Sequence, residues 1–277
     1  MSTRATSVAP AQARRRLRAG ERIGAAKKPT RRTHERDEAT WQVRVDLAAA
    51  FRMAARLGYQ ESIGGHFSCE VPGARSRFIL NPMGLFWSEI TASKLLVVDH
   101  DGRKLSGEGQ LEPTAFHIHA AIHRAHPHAR CVIHVHTPYA TGLAVLDKAR
   151  FEFVHQSGLR FFEKIAYDDE FNGLVTDENE GARLARALGD NRVMFLANHG
   201  QIIVGRSVAE AYQYAYALER NCMYIALARL HGVALRRVPD AVCRSTQQAL
   251  EDDPLGADVL FAGVKRILDR EEPGYAD

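Results

Sequence analysis

From about residue 38 the hydrophobic positions follow periods that change block by block. Trp41, Val45, Leu47, Ala48, Phe51 and Ala55 recur at helical spacing, which predicts a helix from about Glu38 to Leu57 with Gly58 as its stop. Gly64-Gly65 then opens a strand-like run, Phe67 to Val71, closed by Pro72-Gly73. Phe78-Ile79-Leu80 and Leu95 to Asp99 predict two further short strands, ended by Asn81-Pro82 and Asp101-Gly102. Pro113 to Ala125 reads as a helix with Pro in its first turn, Cys131 to His136 as a strand, and Pro138 to Leu146 as a helix. Asp177 to Leu188 predicts another helix, and Val193 to Leu196 a strand running into Asn198-His199-Gly200. Ile202 to Gly205 is the next strand, after which Ser207 caps a long helix from Val208 to Leu230. The last forty residues look helical and polar. Strands joined by tight turns, with helices interspersed irregularly, favour a mixed or antiparallel sheet flanked by helices over a parallel one.

Composition narrows the class. Hydrophobic residues at 45% and charged residues at 25% of 277 are ordinary for a globular chain, and no run of 18 apolar residues suggests a membrane span. Cys69, Cys131, Cys222 and Cys243 form no C-x-x-C pair, which argues against a disulfide scaffold and fits a reducing, cytoplasmic setting. The formal charge of +4 hides an asymmetry: residues 1–36 carry eleven Lys and Arg against Glu21 and Glu35, a balance of +9 that leaves −5 for the rest. Residues 1–37 are therefore expected to be a disordered basic tail, and 38–277 one folded domain. The tail lacks the apolar stretch of a secretory signal. The body offers no matching basic patch, so neither nucleic acid nor membrane is expected as a partner.

Thirteen histidines are the unusual count. His134-x-His136 sits on a predicted strand, where alternation points both side chains to one face about 6.5–7 Å apart along the backbone. His199, at the end of another apolar strand beside Gly200, is the third candidate ligand. Three imidazoles without thiolates suit Zn, Mn, Fe or Ni and leave coordination positions open. His66, His117, His119 and His123 are further imidazoles, and His119 and His123, four apart, share a helix face that His117 does not.

Three segments in register, Gly64-Gly-His66-Phe-Ser68, His134-Val-His136-Thr-Pro-Tyr139 and Leu196-Ala-Asn-His199-Gly-Gln-Ile-Ile-Val-Gly205, resemble the class II aldolase/adducin family over about residues 40–260. The resemblance implies a single α/β/α domain with a central, largely antiparallel sheet. It also implies a catalytic divalent metal on His134, His136 and His199, and a homotetramer with sites near subunit boundaries. The first segment nominates Gly65, His66 and Ser68 as substrate-binding residues.

The sequence departs from the sugar-phosphate aldolases of that family. Their catalytic Glu, counted back from His134, falls on Ala115, and the nearest acid is Glu112. Glu112 and His119 are the candidates to move protons in its stead. An acid in the segment that would hold phosphate repels it, so the fold and metal site carry over better than the retro-aldol reaction. Aromatics near the motifs, above all Phe116 and Tyr139, suit an aromatic or prenylated substrate, although most of Leu85, Phe86, Trp87, Phe161 and Phe162 are expected in the core. The Gly-His turn and missing Glu look closest to two groups of the family. One contains metal-dependent decarboxylases; the other contains the bifunctional non-haem iron oxygenases of antibiotic biosynthesis, which act on a prenylated 4-hydroxyphenylpyruvate. The expectation is an Fe(II)- and O₂-dependent oxidative decarboxylation of an aromatic 2-oxo acid. A Zn(II)- or Mn(II)-dependent aldolase or decarboxylase, and a non-enzymatic adducin-like scaffold, are the alternatives.

Overall fold

The computed structural model describes residues 31–253 and 256–277. Eight strands form one sheet: β1 (His66–Val71), β2 (Ala74–Leu80), β3 (Leu96–Asp99), β4 (Lys104–Ser106), β5 (Cys131–Val135), β6 (Ile165–Asp168), β7 (Val193–Leu196) and β8 (Gln201–Gly205). Their spatial order is β4-β3-β2-β1-β5-β8-β7-β6. Every neighbouring pair is antiparallel except β6 and β7. The sheet is thus mixed, as the tight turns allowed, and largely antiparallel, as the family resemblance implied. Strands β4 and β6, too short and too polar to stand out in the hydrophobic pattern, occupy the two edges.

Helices cover both faces. Helices α1 (Arg31–Arg56), α5 (Val208–Arg229) and α7 (Gly256–Glu271) pack on one, and α2 (Pro113–Ala125) and α4 (Glu178–Leu188) on the other. Pleat alternation divides each strand between them. Ile133, Val135, Phe195 and Ile203 join the α1/α5 core, while Val132, Met194, Leu196, Ile202 and Val204 join Ile118, Ile122, Leu184 and Leu188 of α2 and α4. On the α1 side the Phe51 ring stacks on Phe67 at 4.1 Å. Tyr212 of α5 is buried within this core.

Local chemistry sets the helix ends. The Ser207 hydroxyl accepts from Glu210 N at the start of α5, and the Asp177 carboxylate accepts from Asn179 N and Glu180 N at the start of α4. Helix α1 begins at Arg31, so its first turns lie before the boundary expected at residue 38; residues 1–30 of the basic tail fall outside the described residues. The polar C-terminal region forms α6 (Asp240–Glu251) and α7. Among the described residues, no helix is long and apolar enough to cross a membrane.

Candidate metal centre and active site

The centre grows out of strand alternation. His134 lies on the same face of β5 as Val132, toward α2. Antiparallel β1 sets His66 opposite His134 and Ser68 opposite Val132, so these side chains share that face. His136 follows two residues on, just past the end of β5. Strand β8 pairs with β5, Val135 opposite Gln201, and this brings the β7–β8 turn with His199 alongside. In that turn Leu196 N donates to Gly200 O, and Asn198 has φ +55°, a conformation asparagine tolerates well. Gly200 is required by crowding: a Cβ there would stand 2.4 Å from His136 Cδ2 and 2.5 Å from Val135 O.

The three rings His134, His136 and His199 surround one point, with centroids 4.7–4.9 Å apart. One donor atom from each lies within 4.8 Å of the other two. His134 Nδ1 is 3.0 Å from the Gln201 carbonyl, and His136 Nδ1 is 2.5 Å from Glu61 Oε2. Both oxygens accept, so both protons sit on Nδ1 and both Nε2 atoms carry lone pairs. Those two Nε2 atoms face each other at 3.1 Å. Two lone pairs cannot bond to each other, and the spacing is that of neighbouring ligands on one cation held at about 2.0–2.1 Å. The donor set therefore fits a divalent ion, with Gln201 O and Glu61 fixing the two tautomers. Burial pushes the His134 ring well below the ordinary imidazole range, and burial with His136 nearby brings His199 down to about 4. Both stay neutral, as ligands must.

A second chain of imidazoles leads inward from this centre. His66 Nδ1 is 2.7 Å from His119 Nε2, His119 Nδ1 is 2.5 Å from Ser68 Oγ, and Ser68 Oγ is 2.7 Å from His123 Nε2. His123 Nδ1 ends the chain 2.9 Å from the Ala129 carbonyl. That carbonyl only accepts, so it assigns every proton in turn. His123 donates from Nδ1 and accepts at Nε2 from the Ser68 hydroxyl. Ser68 Oγ accepts from His119 Nδ1, and His119 Nε2 accepts from His66 Nδ1. His66 Nε2 is left unprotonated, on a ring whose centroid is 4.9 Å from that of His134. Burial keeps the series neutral: it lowers His66 and His123 to about 3 and His119 well below its usual value.

Of the residues singled out in the sequence, His134, His136, His199, His66, His119 and Ser68 come together here. Gly65 supports them, with φ +81° and space for a Cβ denied by Trp87 at 2.7 Å and His134 O at 3.2 Å. Three others lie apart from this hydrogen-bonded network. Glu112 is the N-cap of α2, its Oε2 accepting from Ala115 N at 2.5 Å and Thr114 Oγ1 at 2.6 Å. Phe116 packs on Phe78 and over Gly102. Tyr139 is half-exposed in an apolar groove of about 160 Å³ with Leu143, Leu146 and Ile225.

Several contributors carry no sequence signal. Glu61 stands in a loop three residues before Gly64. Phe171, exposed, turns its edge toward His199 with centroids 6.2 Å apart. Glu219, buried on α5, accepts from Tyr139 N at 2.9 Å and Ala140 N at 2.8 Å. It thereby caps α3 (Pro138–Ala144), the helix that follows His136.

Comparison with known proteins finds relatives over most of this chain. A 4-hydroxy-3-prenylphenylpyruvate oxygenase/4-hydroxy-3-prenylbenzoate synthase from Streptomyces roseochromogenus is 33% identical over 211 residues, 76% of each chain. A Pseudomonas aeruginosa protein, named provisionally as a class 2 aldolase, is 33% identical over 244 residues, 86% of this chain and 93% of that one. The crystal structure of an aldolase II superfamily protein from Pseudomonas syringae superposes with a TM-score of 0.80 at 34% identity, over 87% of this chain and 99% of that one. The class II aldolase and adducin N-terminal domain matches residues 45–225, and the chain belongs to that family of metal-dependent enzymes and their relatives.

Proposed function

We propose that this protein cleaves the C–C bond beside the carbonyl of an aromatic 2-oxo acid, by an Fe(II)- and O₂-dependent oxidative decarboxylation. One observation carries the choice among the family's reactions. The one acid available near the position of the aldolases' catalytic Glu, Glu112, is engaged as a helix cap, and Glu61 is engaged by His136. Retro-aldol cleavage has a proton to remove and one to return, which the family's aldolases do with that carboxylate; the free acceptor here, His66 Nε2, is an imidazole that burial holds neutral. Oxidative decarboxylation does not need a positioned carboxylate. The similarity to the Streptomyces oxygenase supports the same reading.

An Fe(II) ion on His134, His136 and His199 would supply Lewis acidity toward the carboxylate and ketone oxygens and the redox partner for O₂. The chain's own residues do the rest. Glu61 and the Gln201 carbonyl orient two of the ligands. His66 offers an unprotonated Nε2 as acceptor for a substrate hydroxyl. His119, Ser68 and His123 act as positioning residues that keep the His66 proton on Nδ1. Phe171, beside His199, gives an aromatic ring a face to pack against. We extend the reading to a homotetramer, with the exposed apolar side chains Leu146, Leu227 and Leu230 as surface to be covered, checked by light scattering.

The test is metal analysis of protein purified without oxygen, followed by oxygen uptake with 4-hydroxyphenylpyruvate-type acids. Stoichiometric iron and substrate-dependent uptake are expected. Zinc or manganese with turnover undiminished under argon would overturn the oxygenase reading in favour of a lyase. An adducin-like scaffold is disfavoured by the intact three-histidine set, which scaffolding does not need.

A further inference from the structure

The entry to β5 carries a second constellation that the reaction does not use. His126 ends α2 as its C-cap, and His128 lies two residues on in the turn toward β5. Asp190 stands in the neighbouring turn between α4 and β7. One donor atom from each of the three lies within 4.8 Å of the others. This is the opposite end of β5 from His134 and His136.

We propose that His126, His128 and Asp190 hold a second divalent transition-metal ion, of the Zn(II) class, with water completing the shell. The donor set is two imidazoles and one carboxylate, borderline ligands that favour zinc over calcium or magnesium. The rings are prepared for it. His126 Nε2 is 2.7 Å from the Ala185 carbonyl, which fixes that proton and leaves the Nδ1 lone pair free. The His128 ring lies by the Asn191 backbone, and its Nε2 is buried with no hydrogen-bond partner among the described residues. A buried ring nitrogen left empty beside a second imidazole and a carboxylate is an unusual cost unless something occupies the gap. Ligands on one ion at about 2.0–2.2 Å stand about 3.3–3.5 Å apart in a tetrahedral shell. Closing the present triangle asks for a contraction of at most about 1.5 Å, and Asp190 is exposed.

Three cations, Lys164, Arg192 and Arg206, line the adjoining cavity with His128 and Asp190. Arg192 is paired with Glu251, and Arg206 with Glu210. The consequence of binding would be structural. The ion would tie the α2–β5 turn to the α4–β7 turn. Helix α2 brings His119 and His123 to the catalytic face, and β5 carries His134, so the clamp holds both elements at their far ends.

The experiment uses untagged full-length protein, stripped with a chelator and loaded with Zn(II), then passed through gel filtration before metal analysis. Wild type is expected to retain two equivalents per chain. His128→Ala and Asp190→Ala should each retain one, as should His134→Ala through loss of the other site. Should His128→Ala fail to fold, His128→Gln, which keeps the bulk of the side chain, reads the same loss. Two equivalents in both the His128 and Asp190 variants would overturn the proposal. So would a single equivalent in wild type that His134→Ala abolishes. The readout is metal content, independent of which reaction the first centre performs.

Discussion

His66 Nδ1 and His119 Nε2 lie 2.7 Å apart, both rings buried, one on β1 and the other on α2. The contact makes His119 the link between the candidate metal centre and the Ser68–His123 pair. Replacing His119 with Gln should leave metal content unchanged and lower kcat, because His66 loses the partner that fixes its tautomer. A purely structural role for His119 would instead show as equal losses of metal and of folded protein. Metal analysis alongside steady-state kinetics separates the two.

His134→Ala should abolish tight metal binding at the first centre and with it activity. Glu61→Gln touches no metal and keeps a hydrogen-bonding oxygen, but removes the charge facing His136 Nδ1. Loss of such an outer partner is expected to weaken metal affinity about 10–100-fold. Competition against a chromophoric chelator measures it.

Gly200→Ala is the steric counterpart. The added Cβ collides with Val135 O, which is backbone and cannot yield, and with the His136 ring. The ring should be displaced, and metal occupancy at His134, His136 and His199 should fall while the helical circular dichroism is kept.

Glu219→Ala tests the cap on α3. The change strips both partners from the Tyr139 and Ala140 amides, at a cost of about 2–4 kcal/mol. Urea unfolding should show this as a lowered midpoint, with weaker metal binding because the segment after His136 is no longer anchored.

Acid should destabilise the fold through the buried histidines. His123 titrates at about 3 when folded and near 6.5 when unfolded. As pH falls below about 6.5 the unfolded chain takes up the proton and the folded chain does not. The stability contributed by the neutral ring is thus complete above that value and declines toward about pH 3, by about 1.4 kcal/mol per pH unit. His66, lowered in the same way, adds to the slope. His123→Gln should flatten the pH dependence of the apo protein's unfolding free energy by about 1.4 kcal/mol per pH unit between pH 6 and 4.

Much of this protein is written in local pattern. The period of apolar residues marks the helices and central strands, since burial of one face imposes it. Pro113 and Ser207 mark helix starts because capping is local chemistry. The three candidate metal ligands, His134, His136 and His199, are legible because alternation on β5 and the crowded Gly200 turn leave signatures in neighbouring residues. What the sequence could not decide is which side chains the sheet brings together. Glu61 reaches His136 across 75 positions, Glu219 reaches Tyr139 across 80, and His126 finds Ala185 across 59. Glu112 stands near the position expected for a catalytic acid, and only the folded helix shows its carboxylate engaged by the Ala115 amide and the Thr114 hydroxyl. The direction of the His66–His119–Ser68–His123 chain is likewise tertiary. It follows from a single carbonyl, Ala129, whose inability to donate assigns every proton along the line.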